Sequence, residues 1–186
     1  MLLLVAATDR ELCGHDGLVC GVGPVEAAAT TARALALQPV VAVLHIGLAG
    51  GRGLEPGTIV VGTEAVYCDL SAEWPVIDRV TPDPVLAETL RAALPSARAL
   101  PVHTSAAVGG ACHTASGGPL VEAMEGFGVL RAATLAGVPA VEVRVVSNEI
   151  SEQDRTRWQL AAALAALERI LPVLVAALGG PAAPPG

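Results

Sequence analysis

A chain of 186 residues suffices for one domain with a full hydrophobic core and is short for two. Its net charge of −7 offers no positive footprint for nucleic acid or an anionic membrane surface, so neither is expected as a partner. All 11 basic residues are Arg, and a chain without Lys cannot by itself build a P-loop or a Schiff-base site.

A hydrophobic content of 53% with only 2% aromatics points to buried parallel strands packed by small-residue helices, an α/β composition. Leu2–Ala7 reads as the first strand. It has no basic leader and runs straight into Asp9, Arg10 and Glu11, unlike a signal peptide. Cys13, Cys20, Cys68 and Cys112 form no Cys-x-x-Cys pair, and His15, His45, His103 and His113 complete no metal-ligand spacing with them. Buried reduced thiols, a cytoplasmic location and no metal are the expectations.

A polar turn carrying Glu11 leads to a second strand, Leu18–Val22, and Pro24 opens the Ala-rich helix Val25–Leu37. Gly21-Val22-Gly23 begins like a dinucleotide fingerprint, but Glu26 stands at the third glycine position and Pro24 intrudes, which removes an NAD site. The glycines either bring backbone close to a ligand or simply permit a tight turn. Val40–Ile46 is a third strand ending in Gly47-Leu48-Ala49-Gly50-Gly51, and a Pro56-Gly57 turn leads to the strand Thr58–Tyr67. Asp69–Pro84 is irregular, Val85–Leu94 reads as a helix, and Ala97–Val108 as one or two strands. Gly117–Ala136 reads as a helix, Ala140–Val146 as an apolar strand, and Asp154–Ala177 as a closing helix. Glu168, Arg169 and Pro172 interrupt that last run and disfavour a membrane span. One domain over residues 1–178 is expected, with the Gly/Pro/Ala-only residues 179–186 as a disordered tail.

On a helix Val121, Met124, Glu125, Gly128, Val129 and Ala132 share one stripe, which puts Glu125 on an apolar face. A carboxylate removed from water costs several kcal/mol, or shifts its pKa, unless donors or a ligand satisfy it. A functional site is one explanation, and a neighbouring backbone group or Arg is the other. Glu11, Gly47–Gly51 and Ser147–Asn148 each follow a strand, where loops leaving a central sheet converge in a crevice. With Glu125 they form four segments able to meet at one pocket.

Several motifs then combine: Gly21-Val22-Gly23-Pro24-Val25-Glu26, Gly47-Leu48-Ala49-Gly50-Gly51 before Pro56-Gly57, Met124-Glu125-Gly126, and Arg144-Val145-Val146-Ser147-Asn148. In this order they resemble the nucleoside phosphorylase and nucleosidase superfamily. The run Ala123–Phe127 with Ser147-Asn148-Glu149 and Asp154–Trp158 looks most like the futalosine hydrolases of menaquinone biosynthesis. The resemblance implies a three-layer α/β/α sandwich with a mixed central sheet, cleavage of a purine N-ribosidic bond, no cofactor and no metal. It further implies a homo-oligomer, dimer or higher, with an interface over Asp69–Pro84.

By that resemblance Glu125 bonds the ribose hydroxyls, Met124 packs on the ribose, and Ser147 and Gly50 join in substrate binding. Glu11 orients or deprotonates the attacking water, a role worth roughly 10²- to 10⁴-fold. Glu11 and Asn148 are the expected catalytic residues. Relatives acting on adenine nucleosides place Asp where this chain has Asn148. A neutral amide can donate to N7 or O6 and accept from N1–H of a 6-oxopurine, which favours hypoxanthine over adenine. Leu48 stands where phosphorylases supply a hydroxyl, and no Arg precedes Gly47, so water is the expected nucleophile. Arg155, Arg157 and Trp158 are available to futalosine's benzoate-bearing extension, although solvated charges on a helical turn explain them equally. No stacking residue is identified in Thr104–Gly118. The alternatives are a methylthioadenosine/S-adenosylhomocysteine nucleosidase and an inactive nucleoside-binding relative.

Overall fold

The computed structural model describes residues 1–108 and 120–179. Among the described residues are eight strands: β1 (Leu2–Ala6), β2 (Leu18–Val19), β3 (Ala42–Arg52), β4 (Ile59–Tyr67), β5 (Arg79–Val80), β6 (Arg98–Thr104), β7 (Leu120–Ala123) and β8 (Ala140–Asn148). Four helices alternate with them: α1 (Pro24–Leu37), α2 (Pro84–Ala93), α3 (Gly126–Ala136) and α4 (Leu160–Ala177).

The sheet is mixed, as expected. β1 runs parallel to β2 and β3, and β3 parallel to β8. β8 pairs antiparallel with β4, β4 parallel with β6, β6 parallel with β7, and β7 antiparallel with β3. Strands β3, β8, β4, β6 and β7 therefore close a ring at one end of the sheet, which leaves fewer edges to protect.

Alternation along the strands sorts the core into layers. Leu4, Ala6, Leu44, Ile46, Val141, Val143 and Val145 pack against α2 and α4, while Leu3, Val5, Val43 and Ala140 pack against α1 and α3. A third group, including Ala49, Val60, Val102, Val121 and Val146, fills the ring. Helix α1 meets α3 at Gly128, where a Cβ would lie 2.5 Å from the Pro24 carbonyl oxygen. The start of α2 is fixed by Asp83, whose Oδ1 accepts from Val85 N and Leu86 N at 3.0 Å each, with Pro84 at the first helical position.

The principal correction falls on the segment read as one helix over Gly117–Ala136. Residues 120–123 are strand β7, Met124 and Glu125 form the turn, and the helix begins at Gly126. A four-residue run, apolar but for Glu122, fits a strand or a helix equally well. What decides it is pairing with Gly50–Arg52 on one side and Val102–Thr104 on the other, contacts remote in sequence. The stripe through Val121 and Glu125 is thus not a helix face. Elsewhere β3 runs on to Arg52, β2 has only two residues, and the closing helix begins at Leu160 after a 3-10 turn over Arg155–Arg157.

Helix α4 is apolar and long enough to cross a membrane by length and composition, yet it seats Ala163, Ala166, Leu167, Ile170, Leu171, Leu174 and Val175 in the core. The expectation of four buried reduced thiols is corrected at two positions. Cys20 is buried and free, Cys13 is half-buried and free, and Cys68 is half-buried and disulfide-bonded. Cys112, His113, the start of the expected helix at Gly117 and the tail from residue 180 lie outside the described residues, as does most of Thr104–Gly118.

Candidate active site

A cavity of about 320 Å³ opens where the C-terminal ends of β1, β3 and β8 meet the β7–α3 turn. Glu11, Gly50, Met124, Glu125, Ser147 and Asn148 all line it, together with Thr8, Arg10, Leu48, Glu122 and Trp158. Four segments remote in sequence thus converge as their strand-end positions suggested.

Glu11 sits on a 3-10 turn, Asp9–Leu12, directly after β1. Its Oε2 accepts from Thr8 N at 3.0 Å and Thr8 Oγ1 at 2.8 Å, a reciprocal cap that fixes the turn. Its Oε1 accepts from Leu48 N at 3.0 Å. Leu48 therefore serves the site through its backbone, which any residue type supplies. Gly47 is required beside it, because a Cβ there would lie 2.8 Å from Glu11 Oε1 and against Arg144 Nη1.

Glu125 is 5% exposed. Its Oε1 accepts from Gly23 N at 3.2 Å and its Oε2 from Arg144 Nη2 at 3.5 Å. Gly23, at φ 95°, turns its N–H inward in a backbone region that L side chains rarely occupy. The glycine turn before α1 thus brings backbone to a carboxylate of the site. Burial raises the Glu125 pKa, against the opposing pull of Arg144 and the Gly23 N–H.

Arg144 is fully buried and joins the groups beneath the cavity. Its Nε donates to Glu142 Oε1 at 2.7 Å and its Nη1 to Leu48 O at 3.4 Å, while Nη2 meets His45 Nε2. His45 Nδ1 lies 3.1 Å from Val5 O, an acceptor only. Nδ1 therefore carries the proton, and neutral Nε2 accepts from the guanidinium. Burial and then Arg144 hold the His45 pKa well below its ordinary range. Burial raises the Glu142 pKa while Arg144 opposes it, and Glu142 Oε2 has no partner among the described residues. Burial alone would lower the Arg144 pKa, but Glu142 and Glu125 more than offset it. At Gly126 a Cβ would collide with the Glu142 carboxylate, so the glycine after Glu125 admits this cluster beneath α3.

Ser147 Oγ donates to Asn148 Oδ1 at 2.8 Å, and Asn148 Nδ2 donates to Glu149 O at 2.9 Å. The amide orientation is thereby fixed, leaving its second N–H and a lone pair on Oδ1. Gly50 keeps the neighbouring wall open: a Cβ there would lie 3.3 Å from Asn148 Nδ2.

Arg155 and Arg157 do not line the cavity. Arg157 pairs with Glu152 at 3.4 Å and Asp154 at 3.7 Å, and Arg155 stacks over Trp158 with its guanidinium carbon 5.7 Å from the ring centroid. Trp158 does line the cavity, and Arg10 supplies a cation at its wall. Sequence reasoning gave no role to Arg144, Glu142, His45, Glu122 or Arg10. The signal for two of them was present: Glu142 and Arg144 are two apart in an otherwise valine-rich strand, hence opposite charges on one buried face.

Buried carboxylates, a fixed neutral amide and an apolar wall suit stabilisation of a cationic sugar and activation of water. Among the described residues no three His, Cys, Asp or Glu side chains are grouped to hold a metal ion.

Comparison with known proteins gives the family and the fold. The phosphorylase superfamily model matches residues 17–176. The chain is similar to a futalosine hydrolase of Streptomyces coelicolor, 40% identical over 87% of this chain and 80% of that one, and to one of Acidothermus cellulolyticus, 37% identical over 92% and 80%. In fold it is similar to an S-adenosylhomocysteine nucleosidase of Streptococcus pyogenes, TM-score 0.80 and 22% identity over 95% of each chain. A Streptococcus pneumoniae MTA/SAH nucleosidase bound to 8-aminoadenine gives a TM-score of 0.81 at 19% identity over 97% and 99%.

Proposed function

This chain belongs to the phosphorylase superfamily and, within it, to the futalosine hydrolases, and we propose that it hydrolyses futalosine to hypoxanthine and dehypoxanthinylfutalosine in menaquinone biosynthesis. The observation that carries the mechanism is the convergence of Glu11, Glu125 and Asn148 on one cavity. Glu125 anchors the ribose hydroxyls, with Met124 against the sugar. Asn148, its orientation set by Ser147, donates to the departing base, and Gly50 leaves room for the ring. Glu11 activates the water that attacks the sugar carbon as the N-ribosidic bond breaks. A positioned base of this kind contributes roughly 10²- to 10⁴-fold.

Water rather than phosphate is favoured because Arg144, the cation beneath the Gly47 strand end, is fully buried and already paired with Glu142 and Glu125. It has no charge to spare for an anion. Trp158, Leu160 and Leu164 offer apolar surface beside Arg10, suited to an aromatic extension that ends in a carboxylate. The protein acts in the cytoplasm as a homo-oligomer, for which the exposed Trp74 and Ile77 before β5 supply an apolar face.

Incubation with futalosine, inosine and methylthioadenosine side by side, each with and without phosphate, tests base, 5′ substituent and nucleophile together. Futalosine should yield hypoxanthine at a rate independent of phosphate. Adenine from methylthioadenosine as the dominant product would assign the site to the nucleosidases of its fold relatives instead. Intact futalosine after long incubation would refute hydrolysis.

A further inference from the structure

Glu142 is a fully buried carboxylate that the proposed mechanism does not use. It is 1% exposed, lies early in the valine-rich β8, and does not line the cavity. Stability is a poor reason for it, because well-packed apolar side chains in place of a buried ion pair are often neutral or better. Its place behind the site supplies another.

Arg144 stands between two carboxylates and treats them unequally. Its Nε donates to Glu142 Oε1 at 2.7 Å, the length of a charge-assisted bond, whereas Glu125 Oε2 lies 3.5 Å from Nη2, at the outer edge of hydrogen bonding. Nη2 also meets His45 Nε2, a neutral acceptor that holds the guanidinium from β3 without adding charge. Glu142 in turn sits against the first residue of α3, since a Cβ at Gly126 would lie 2.4 Å from each of its oxygens. That end of a helix gathers unpaired N–H groups and favours a negative charge. Glu125, which does line the cavity, is held less tightly, by Gly23 N at 3.2 Å and by the long contact to Arg144.

One guanidinium carries one positive charge, so two carboxylates upon it leave a negative charge over. The distances put that surplus on Glu125. Resting on the nucleosidase reading above, we infer that Glu142 is a positioning residue that takes up the charge of Arg144, so that Glu125 meets the sugar as an uncompensated anion. The ribosyl group becomes cationic as its bond to the base breaks, and such an anion stabilises that state more than the neutral ground state. Without the Glu142 charge, Arg144 would neutralise Glu125 and the gain would be lost.

Turnover of futalosine and its inhibition by two sugars test this together. Iminoribitol carries a protonated ring nitrogen where anhydroribitol has a neutral ring oxygen, so their ratio reads the charge that faces the sugar. Wild-type enzyme should bind iminoribitol at least about tenfold more tightly, the scale of a close charge pair. Glu142→Gln keeps an acceptor for Arg144 Nε but not the charge, so kcat should fall about tenfold with KM little changed, and the ratio should approach one. Glu142→Asp, which keeps the charge, should restore most of both. Where Glu142→Gln does not fold, the double variant with Arg144→Met removes one charge of each sign and should keep the wild-type ratio; a ratio near one there overturns the inference. It is equally overturned by a Glu142→Gln enzyme with wild-type kcat and ratio, or by a wild type that iminoribitol inhibits no better than anhydroribitol, while hypoxanthine release leaves the nucleosidase reading standing. Wild-type protein that cleaves no nucleoside overturns both.

Discussion

Glu11 and Arg144 approach one another over the bare backbone of Gly47: a Cβ at that position would lie 2.8 Å from the carboxylate and against the guanidinium. The expected general base and the buried cation beneath the site are thus held by the absence of a side chain. Gly47→Ala should displace one of them and lower kcat by about 10²-fold or more, since small misplacements at a reacting centre cost on that order. Steady-state kinetics with a thermal melt beside it would separate lost geometry from lost folding.

The two carboxylates should fail differently. Glu11→Gln keeps one of the two acceptor oxygens that bond Thr8 and Leu48 but not the base, so kcat should fall roughly 10²- to 10⁴-fold with KM little changed. Glu125→Gln alters the ribose anchor, and both KM and kcat should suffer. A Glu11→Gln enzyme with wild-type kcat would remove Glu11 from the chemistry.

Arg144 holds two carboxylates that burial alone would leave uncompensated, Glu142 and Glu125. Arg144→Met should therefore destabilise the protein by about 3–5 kcal/mol, the range for breaking one side of a buried ion pair. Adding Glu142→Gln should recover part of that loss. Denaturant titration of the single and double variants measures the coupling, and strictly additive effects would contradict it.

His45 is buried neutral, with its pKa held low by burial and by Arg144. In the unfolded chain it takes up a proton near pH 6.5, while the folded protein resists it, so its contribution is complete above about pH 6.5 and shrinks as pH falls below. Stability should drop by up to about 1.4 kcal/mol per pH unit from this group. The raised pKa values of Glu125 and Glu142 act oppositely: their contribution is full below about pH 4.5 and is lost as pH rises through the folded value. The difference between wild type and His45→Gln isolates the histidine. Melting midpoints from pH 8 to 5.5 should converge toward the acid end.

Arg10 lines the cavity and has no carboxylate partner among the described residues. Arg10→Ala should raise KM for futalosine several-fold, the scale of a partly solvated charge pair. KM for inosine, which lacks the carboxylate, should stay unchanged. Equal effects on both substrates would remove Arg10 from recognition of the extension.

What the sequence determined by itself was local or compositional. Apolar runs bounded by glycine and proline marked most strands, and the strand-end positions of Glu11, Gly47–Gly51 and Ser147–Asn148 marked the crevice, because chain geometry puts such residues at the sheet's edge. The anomaly at Glu125 was legible as misplaced polarity, although its helix was not a helix there. Tertiary structure alone decided the rest. Leu120–Ala123 became a strand through partners some 20 and 70 residues away in the chain, which no periodicity encodes. The ring of five strands and the junction of Arg144 with His45 and Glu125 both depend on register. Register is a long-range property, and a slip of one residue would turn each of these side chains to the opposite face.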